Sequence, residues 1–172
     1  MTLFKITLFK DRQKFSAAHF TVFQNGEVER LHGHNYRVSA SFSGQNMNMG
    51  ILFPFHDLKP EMNRLCDAWD ESVLIPGKAP WVHVQEKDGQ CEVSVSTPEV
   101  RRFYSFPREE VVVLPCDNVT SENLALLLAQ NLAARTRILA PEVLGLCVTI
   151  SETDGQEVTV DFDLTEVTLP QE

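Results

Sequence analysis

Leu31-His32-Gly33-His34-Asn35-Tyr36-Arg37-Val38 puts two histidines one residue apart at the head of a run with strand character. Successive side chains of a strand point to opposite faces, so residues i and i+2 share one. His32 and His34 therefore aim the same way, and Gly33 between them leaves room for a close neighbour. Two of the chain's five histidines arranged like this form either a solvated polar pair or part of a metal site. A metal site needs at least a third ligand.

The third candidate lies upstream. Phe15-Ser16-Ala17-Ala18-His19-Phe20 ends an alternating segment, and the polar connection from Thr21 to Arg30 contains Asn25-Gly26. Two strands joined by a glycine-containing loop read as a hairpin. An antiparallel return brings His19 beside His32 and His34. Three imidazoles with an open fourth position describe a catalytic zinc rather than a closed structural one. A cupin-type site is the competing reading of His-x-His. It wants a carboxylate a few residues later, and Asn35 to Ala40 supplies none.

A chain of 172 residues suits one domain or one subunit of an oligomer. Its 43% hydrophobic content is ordinary for a globular protein. A formal net charge of −9 argues against a nucleic-acid partner, whereas a small anionic substrate needs only a few local cations. Cys66, Cys91, Cys116 and Cys147 form no Cys-x-x-Cys and lie away from the histidines, which suits reduced thiols of a cytoplasmic protein. The N-terminus alternates from Leu3 onward and lacks the apolar region of a signal peptide. No apolar run approaches the roughly 18 residues of a membrane span.

Periodicity orders the rest. Leu3 to Phe20 reads as a long strand interrupted at Asp11-Arg12, and Tyr36 to Phe42 as a half-buried antiparallel strand. Ile51 to Phe55 reads as a short apolar strand. Asp57 is placed as the N-cap of a helix over Leu58 to Trp69, with Pro60 in its first turn. Ile75 to Pro80 reads as a turn around Pro76-Gly77, and Val82 to Val95 as a hairpin around Asp88-Gly89. Pro98 to Arg108 carries no decisive pattern, and Val111 to Leu114 is a short strand. Thr120 caps a second helix that runs to about Leu139 and stops before Pro141. Leu144 to Ser151 and Val158 to Phe162 are strands around Asp154-Gly155. Antiparallel strands with two helices on one face make an α+β layer. Its open sheet edges favour oligomerisation.

Taken together, Phe15-Ser16-Ala17-Ala18-His19, His32-Gly33-His34-Asn35-Tyr36, Gly50 to Lys59, Thr120-Ser121-Glu122-Asn123-Leu124-Ala125 and Ser151-Glu152-Thr153 resemble a known family. It is the 6-pyruvoyl-tetrahydropterin and 6-carboxy-tetrahydropterin synthase family. The resemblance runs from near the N-terminus to about residue 162 and implies a single domain over 1–172, with an insertion at about 82–107. It implies a tunnelling fold: a four-stranded antiparallel sheet with two helices on one face, assembled as a trimeric or hexameric barrel. It implies Zn2+ on His19, His32 and His34, and a pterin substrate such as 7,8-dihydroneopterin triphosphate anchored by Glu152. Thr120 and Ser121 join Glu152 as substrate-binding residues. Zinc would coordinate the substrate's side-chain hydroxyls and carbonyl while a proton leaves the adjacent carbon.

The chain departs from the family pattern at three places. Val28 stands where the usual members carry a catalytic cysteine, and Glu29 offers a carboxylate three residues before His32 instead. The spacing Glu29-Arg30-Leu31-His32 is similar to that of a subset cleaving the side chain of dihydroneopterin triphosphate to 6-hydroxymethyl-dihydropterin. Asp70-Glu71 replaces an Asp-His pair, leaving Asp70 and Glu71 as the remaining acid/base candidates. Pro54 replaces an aspartate that many members carry before phenylalanine. Arg30 and Arg37 are candidate triphosphate ligands, and His56 and His83 have no assigned role. Two functions follow: a lyase-type pterin synthase with a carboxylate-based site, or a zinc- and pterin-binding homologue with little or no synthase activity.

Overall fold

The computed structural model describes residues 2–45 and 47–165. Strand β3 (His32–Gly44) is its spine. Tyr36, Val38, Ala40 and Phe42 are buried on one face, while Arg37, Ser39, Ser41 and Ser43 stay at least partly exposed on the other. On one side β3 pairs antiparallel with both β1 (Phe4–Leu8) and β2 (Lys14–His19). Phe4 to Leu8 oppose Gly44 to Ala40, and Lys14 to His19 oppose Arg37 to His32. Residues 9–13 therefore face only Val38 and Ser39, and the chain loops out between the two strands. The loop closes on itself: Gln13 N–H donates to Lys10 O at 2.8 Å, and Val38 N–H donates to Gln13 O at 2.8 Å. The interruption read at Asp11-Arg12 is this outward loop.

On its other side β3 pairs with β9 (Gly145–Thr153), which pairs with β10 (Gln156–Asp163) through the tight turn at Asp154-Gly155. The expected sheet was four-stranded and wholly antiparallel. Among the described residues the observed one has seven strands and is mixed, because β4 (Ser72–Pro76) runs parallel to β2 and β8 (Val111–Leu114) runs parallel to β4. Strand β4 was missed because Val73, Leu74 and Ile75 are a continuous apolar run ending in Pro-Gly. Fully covered parallel strands lack the alternation that marks an antiparallel one.

Helix α1 spans Phe55–Asp67. Its N-cap is Pro54, not Asp57, which lies in the first turn and complements the positive end of the helix dipole. The strand expected over Ile51 to Phe55 is absent. Ile51 makes one bridge to Asn48, Leu52 and Phe53 are buried in the core, and Phe55 opens the helix. The run is apolar because it packs, not because it pairs. Helix α2 (Ser121–Leu139) starts as read, with Thr120 Oγ1 accepting from Asn123 N–H at 3.4 Å. Leu58, Met62 and Leu65 of α1 and Leu124, Leu128 and Leu132 of α2 share one core with Phe15, Tyr36, Phe42, Val148 and Ile150 of the sheet.

A second, three-stranded antiparallel sheet comprises β5 (Val82–Lys87), β6 (Gln90–Ser96) and β7 (Arg101–Pro107). Asp88 and Gly89 both take positive φ, 50° and 75°, which is the two-residue hairpin geometry that Asp-Gly favours. Cys91, Val93 and Val95 of this sheet pack with Phe20, Val28, Ile75 and Val111. No helix among the described residues is long and apolar enough to cross a membrane.

The corner between α1 and β4 is held by one residue of β2. Asp70 Oδ1 accepts from Ser16 N–H, and Glu71 N–H donates to Ser16 O, each at 2.7 Å. Glu71 takes a φ of 53° to make the corner, a conformation that costs a non-glycine residue about 1 kcal/mol. The Ser16 bond is exposed, so Asp70→Ala is expected to lower stability by about 1 kcal/mol in urea unfolding.

All four cysteines are free thiols. Burial, reinforced by Asp67 and Asp70, pushes the Cys66 thiol from 9.0 up to about 12. Its folded pKa is raised, so the contribution is fully present below pH 9 and is lost as pH rises from 9 toward 12. Thermal melts should show Tm falling through that window, and the fall should be shallower in Cys66→Ala. An equally steep fall in the variant would remove Cys66 from the account.

Candidate metal centre

The β2–β3 ladder sets the histidines. His19 lies directly opposite His32, and Ala17 lies opposite His34. Phe15, Ala17 and His19 alternate onto the inner face of β2, as His32, His34 and Tyr36 do on β3. The three ring centroids are 4.7 Å (His19–His32), 4.9 Å (His32–His34) and 5.4 Å (His19–His34) apart. One nitrogen from each ring lies within 4.8 Å of the other two. Gly33 makes this approach possible, since a Cβ there would stand 3.3 Å from Ala17 O on the neighbouring strand.

Two carbonyls orient the rings. His19 Nδ1 lies 2.9 Å from Val119 O, and His32 Nδ1 lies 2.7 Å from Arg30 O. A carbonyl oxygen can only accept, so each Nδ1 carries a proton, and in the neutral ring the lone pair is then on Nε2. His19 is 3% exposed, and its Nε2 has no hydrogen-bond partner among the described residues. A buried polar atom left unmatched costs about 1–3 kcal/mol, so this one calls for a ligand. Burial is the main cause that lowers the His19 pKa, opposed by the Val119 bond and assisted by His32. The ring is thereby kept neutral, the form that ligates a metal. Three convergent imidazoles suit a metal ion such as Zn2+.

Glu152, on β9, enters the same space. Its Oε1 accepts from Tyr36 Oη at 3.0 Å and lies 3.4 Å from His19 Nε2 and 3.3 Å from His34 Nε2. Its Oε2 accepts from Ser121 Oγ at 3.2 Å. Tyr36 is fully buried, and burial followed by the charge of Glu152 drives its pKa upward, so its hydroxyl stays a donor. The cleft has a volume of about 570 Å³, and His19, His32, His34, Glu29, Ser121 and Glu152 are among its lining residues. Thr120 also lines it, with its hydroxyl oxygen engaged in capping α2.

Of the acids singled out in the sequence, Glu29 and Glu152 line this cleft. Asp70 is committed to Ser16, while Glu71 lines a separate depression of about 350 Å³ shared with Gly33, Asn35 and the other side of His34. Arg37 is exposed on the opposite face of β3, and Arg30 serves the cluster through its carbonyl. His56 is exposed beside Asp57, 3.2 Å from its Oδ1, and His83 is exposed on β5. Sequence reading overlooked the Tyr36 hydroxyl, although its parity with His32 and His34 pointed to it. The carbonyls of Val119 and Arg30 carry no signal in sequence, because any residue supplies one.

Comparison with known proteins agrees with this geometry. The family model for 6-pyruvoyl tetrahydropterin synthase matches residues 8–162. A protein of Methanocaldococcus jannaschii, provisionally assigned as a 6-carboxy-5,6,7,8-tetrahydropterin synthase, is 28% identical over 145 residues, covering 83% of this chain and 86% of its own. A Pyrococcus abyssi protein with the same provisional assignment is 31% identical over 114 residues, covering 66% and 65%. The crystal structure of 6-pyruvoyl tetrahydropterin synthase from Plasmodium vivax superposes with a TM-score of 0.85 at 26% identity, covering 95% of this chain and 99% of that one. Two further structures of that enzyme replace a catalytic glutamate by alanine or cysteine. The three histidines, Glu29 and Glu152 all fall within the matched span, and the chain belongs to the 6-pyruvoyl tetrahydropterin synthase family.

Proposed function

We propose that this chain is a zinc-dependent pterin synthase-type lyase acting on 7,8-dihydroneopterin triphosphate or a related pterin. The observation that carries the reading is the buried, unpartnered Nε2 of His19, converging with His32 and His34 in a cleft that also holds Glu29 and Glu152. The catalytic glutamate of the Plasmodium vivax relative supports a carboxylate in the role that cysteine plays in the usual members.

In this reading His19, His32 and His34 would hold the metal. A bound Zn2+ supplies Lewis acidity, stabilising negative charge that develops beside an oxygen of the substrate side chain. Glu29 takes the proton from the side-chain carbon next to the one that bears the triphosphate; the C–H electron pair forms a C=C bond, the C–O bond to triphosphate breaks, and the triphosphate leaves with the C–O pair. Glu152 accepts paired hydrogen bonds from the guanidine-like edge of the pterin, a match that suits a carboxylate. Tyr36 Oη and Ser121 Oγ hold that carboxylate in place, with Thr120 fixing the helix start on which Ser121 sits. Asp70 and Glu71 stay the remaining acid/base candidates, Asp70 bonded to the Ser16 amide and Glu71 lining the depression that His34 also lines. Among the described residues the sheet ends at β8 and β10, with β1 pairing only β3, and these edges suit a trimeric or hexameric barrel in which strands continue between copies. The region 82–107 is read as an insertion carrying the second sheet, inside a single domain.

The replacement of the usual cysteine by Val28 and of the usual histidine by Glu71 keeps a second reading in view, a zinc- and pterin-binding homologue without turnover. The decisive experiment incubates zinc-loaded protein with 7,8-dihydroneopterin triphosphate and identifies products by chromatography and mass spectrometry. A 6-pyruvoyl, 6-carboxy or 6-hydroxymethyl product is expected. Intact substrate retained on zinc-loaded protein would favour the second reading.

Two outcomes follow from the assignment. Glu29→Gln should lower kcat by about 10²–10⁴-fold, the usual worth of a positioned base, while zinc content stays at the wild-type value. Unchanged kcat would remove Glu29 as the base. His32→Ala and His34→Ala should each lose stoichiometric zinc in elemental analysis after dialysis. His56→Ala and His83→Ala should keep it. Full zinc retention in both cleft variants would sink the metal assignment.

A further inference from the structure

We propose that Arg102, on the second sheet, is the positioning residue for Glu29, an inference that rests on the reading of Glu29 as the base. Glu29 sits on the connection between β2 and β3. That connection folds back on itself through Phe23 N–H to Glu27 O and Glu29 N–H to Thr21 O, both at 2.9 Å. These bonds leave the carbonyls on either side of the Glu29 Cα without a partner inside the loop. Arg102 supplies both partners. Its Nη1 donates to Glu29 O, and its Nη2 donates to Val28 O at 2.9 Å.

The two carbonyls belong to the two peptide planes that meet at the Glu29 Cα. With the Thr21 bond added, both backbone polar groups of residue 29 are engaged. The carboxylate can turn about its own side-chain bonds, but its point of attachment is held. Among the described residues Arg102 forms no ion pair, so its charge is spent on these carbonyls. A guanidinium spans two acceptors with a rigid fork, which an ammonium cannot do.

The second sheet grips the loop at another point as well. Thr97 is 7% exposed, and its Oγ1 donates to Gly26 O at 2.6 Å. Gly26 has a φ of 89°, and a Cβ there would stand 3.3 Å from Pro98 Cδ, so the loop tip lies hard against the β6–β7 turn. Val28 and Phe20, at the two ends of the loop, are buried in the same cluster as Val93 and Val95. The hold also reaches the metal cluster. One residue beyond the clamped peptides, the Arg30 carbonyl orients His32. The second sheet is thus a platform that presents the base to the three imidazoles, and Arg102 is its contact with the base.

The test compares zinc-loaded wild type, Arg102→Ala, Arg102→Lys, Glu29→Gln and the Arg102→Ala/Glu29→Gln double variant. Turnover of 7,8-dihydroneopterin triphosphate is measured together with amide hydrogen exchange and zinc content. Arg102→Ala is expected to lower kcat by about 10²-fold, as misplacing a catalytic group by about 1 Å does, with KM and zinc content near wild type. Arg102→Lys should recover only part of the loss. In the Glu29→Gln background Arg102→Ala should cost almost nothing further, since the two act as one unit. Faster exchange should be confined to residues 21–31. Equal losses in both backgrounds, or faster exchange spread across β5, β6 and β7, would overturn the proposal in favour of a merely structural arginine. If wild type turns over none of the substrate, the functional reading fails on its own. The exchange pattern then decides the clamp: loosening confined to 21–31 upholds it, and unchanged protection there overturns it.

Discussion

The register of β2 against β3 is the constraint on which the site depends. Placing His19 directly opposite His32 puts three imidazoles on the inner face of the sheet, the face that also carries Phe15, Tyr36, Val38 and Phe42. That face is otherwise apolar, so every polar atom on it needs a partner. Val119 O and Arg30 O partner the Nδ1 atoms of His19 and His32, and Tyr36 Oη with Ser121 Oγ partner Glu152. What is left over is an unmatched Nε2 on a nearly inaccessible histidine. The fold tolerates this local cost where binding a ligand removes it.

The partners come from parts of the chain far apart in sequence. Val119 precedes α2, Ser121 begins it, Arg30 lies near the end of the β2–β3 connection, and Glu152 is the last residue but one of β9. The cleft is therefore a meeting of element ends around a rigid ladder. Such an arrangement holds donor and acceptor positions more narrowly than a loop does. The same logic explains the acid corner at Asp70-Glu71. It anchors β4 to β2 through Ser16, an exposed residue of β2.

Sequence reading recovered features that depend on local periodicity. The alternation of β2 and β3 put the histidines on one face, Thr120 marked the start of α2, and Asp88-Gly89 marked a hairpin. It failed where tertiary context overrides local pattern. Strand β4 is covered on both faces, so it shows no alternation, and Pro76-Gly77 hid its end. Ile51 to Phe55 is apolar because Leu52 and Phe53 plug the core, a job that needs no ladder. Asp57 has the chemistry of a cap, yet the helix starts earlier because Phe55 and His56 already follow the helical path. Arg102 was invisible for a different reason: its partners are main-chain carbonyls, which no residue type announces.

The outward loop at residues 9–13 has a consequence for how this chain can change length over evolutionary time. Because β1 and β2 pair with β3 independently, residues added to or removed from that loop leave the pairing of Lys14 to His19 untouched. One residue inserted between Phe15 and His19 would instead turn His19 to the outer face and empty one corner of the cluster, since side-chain direction repeats every second residue. The same chain thus contains a stretch where gaps are silent and, a few residues later, a stretch that accepts none. Relatives should vary in length before Lys14 and keep step strictly from there to His19.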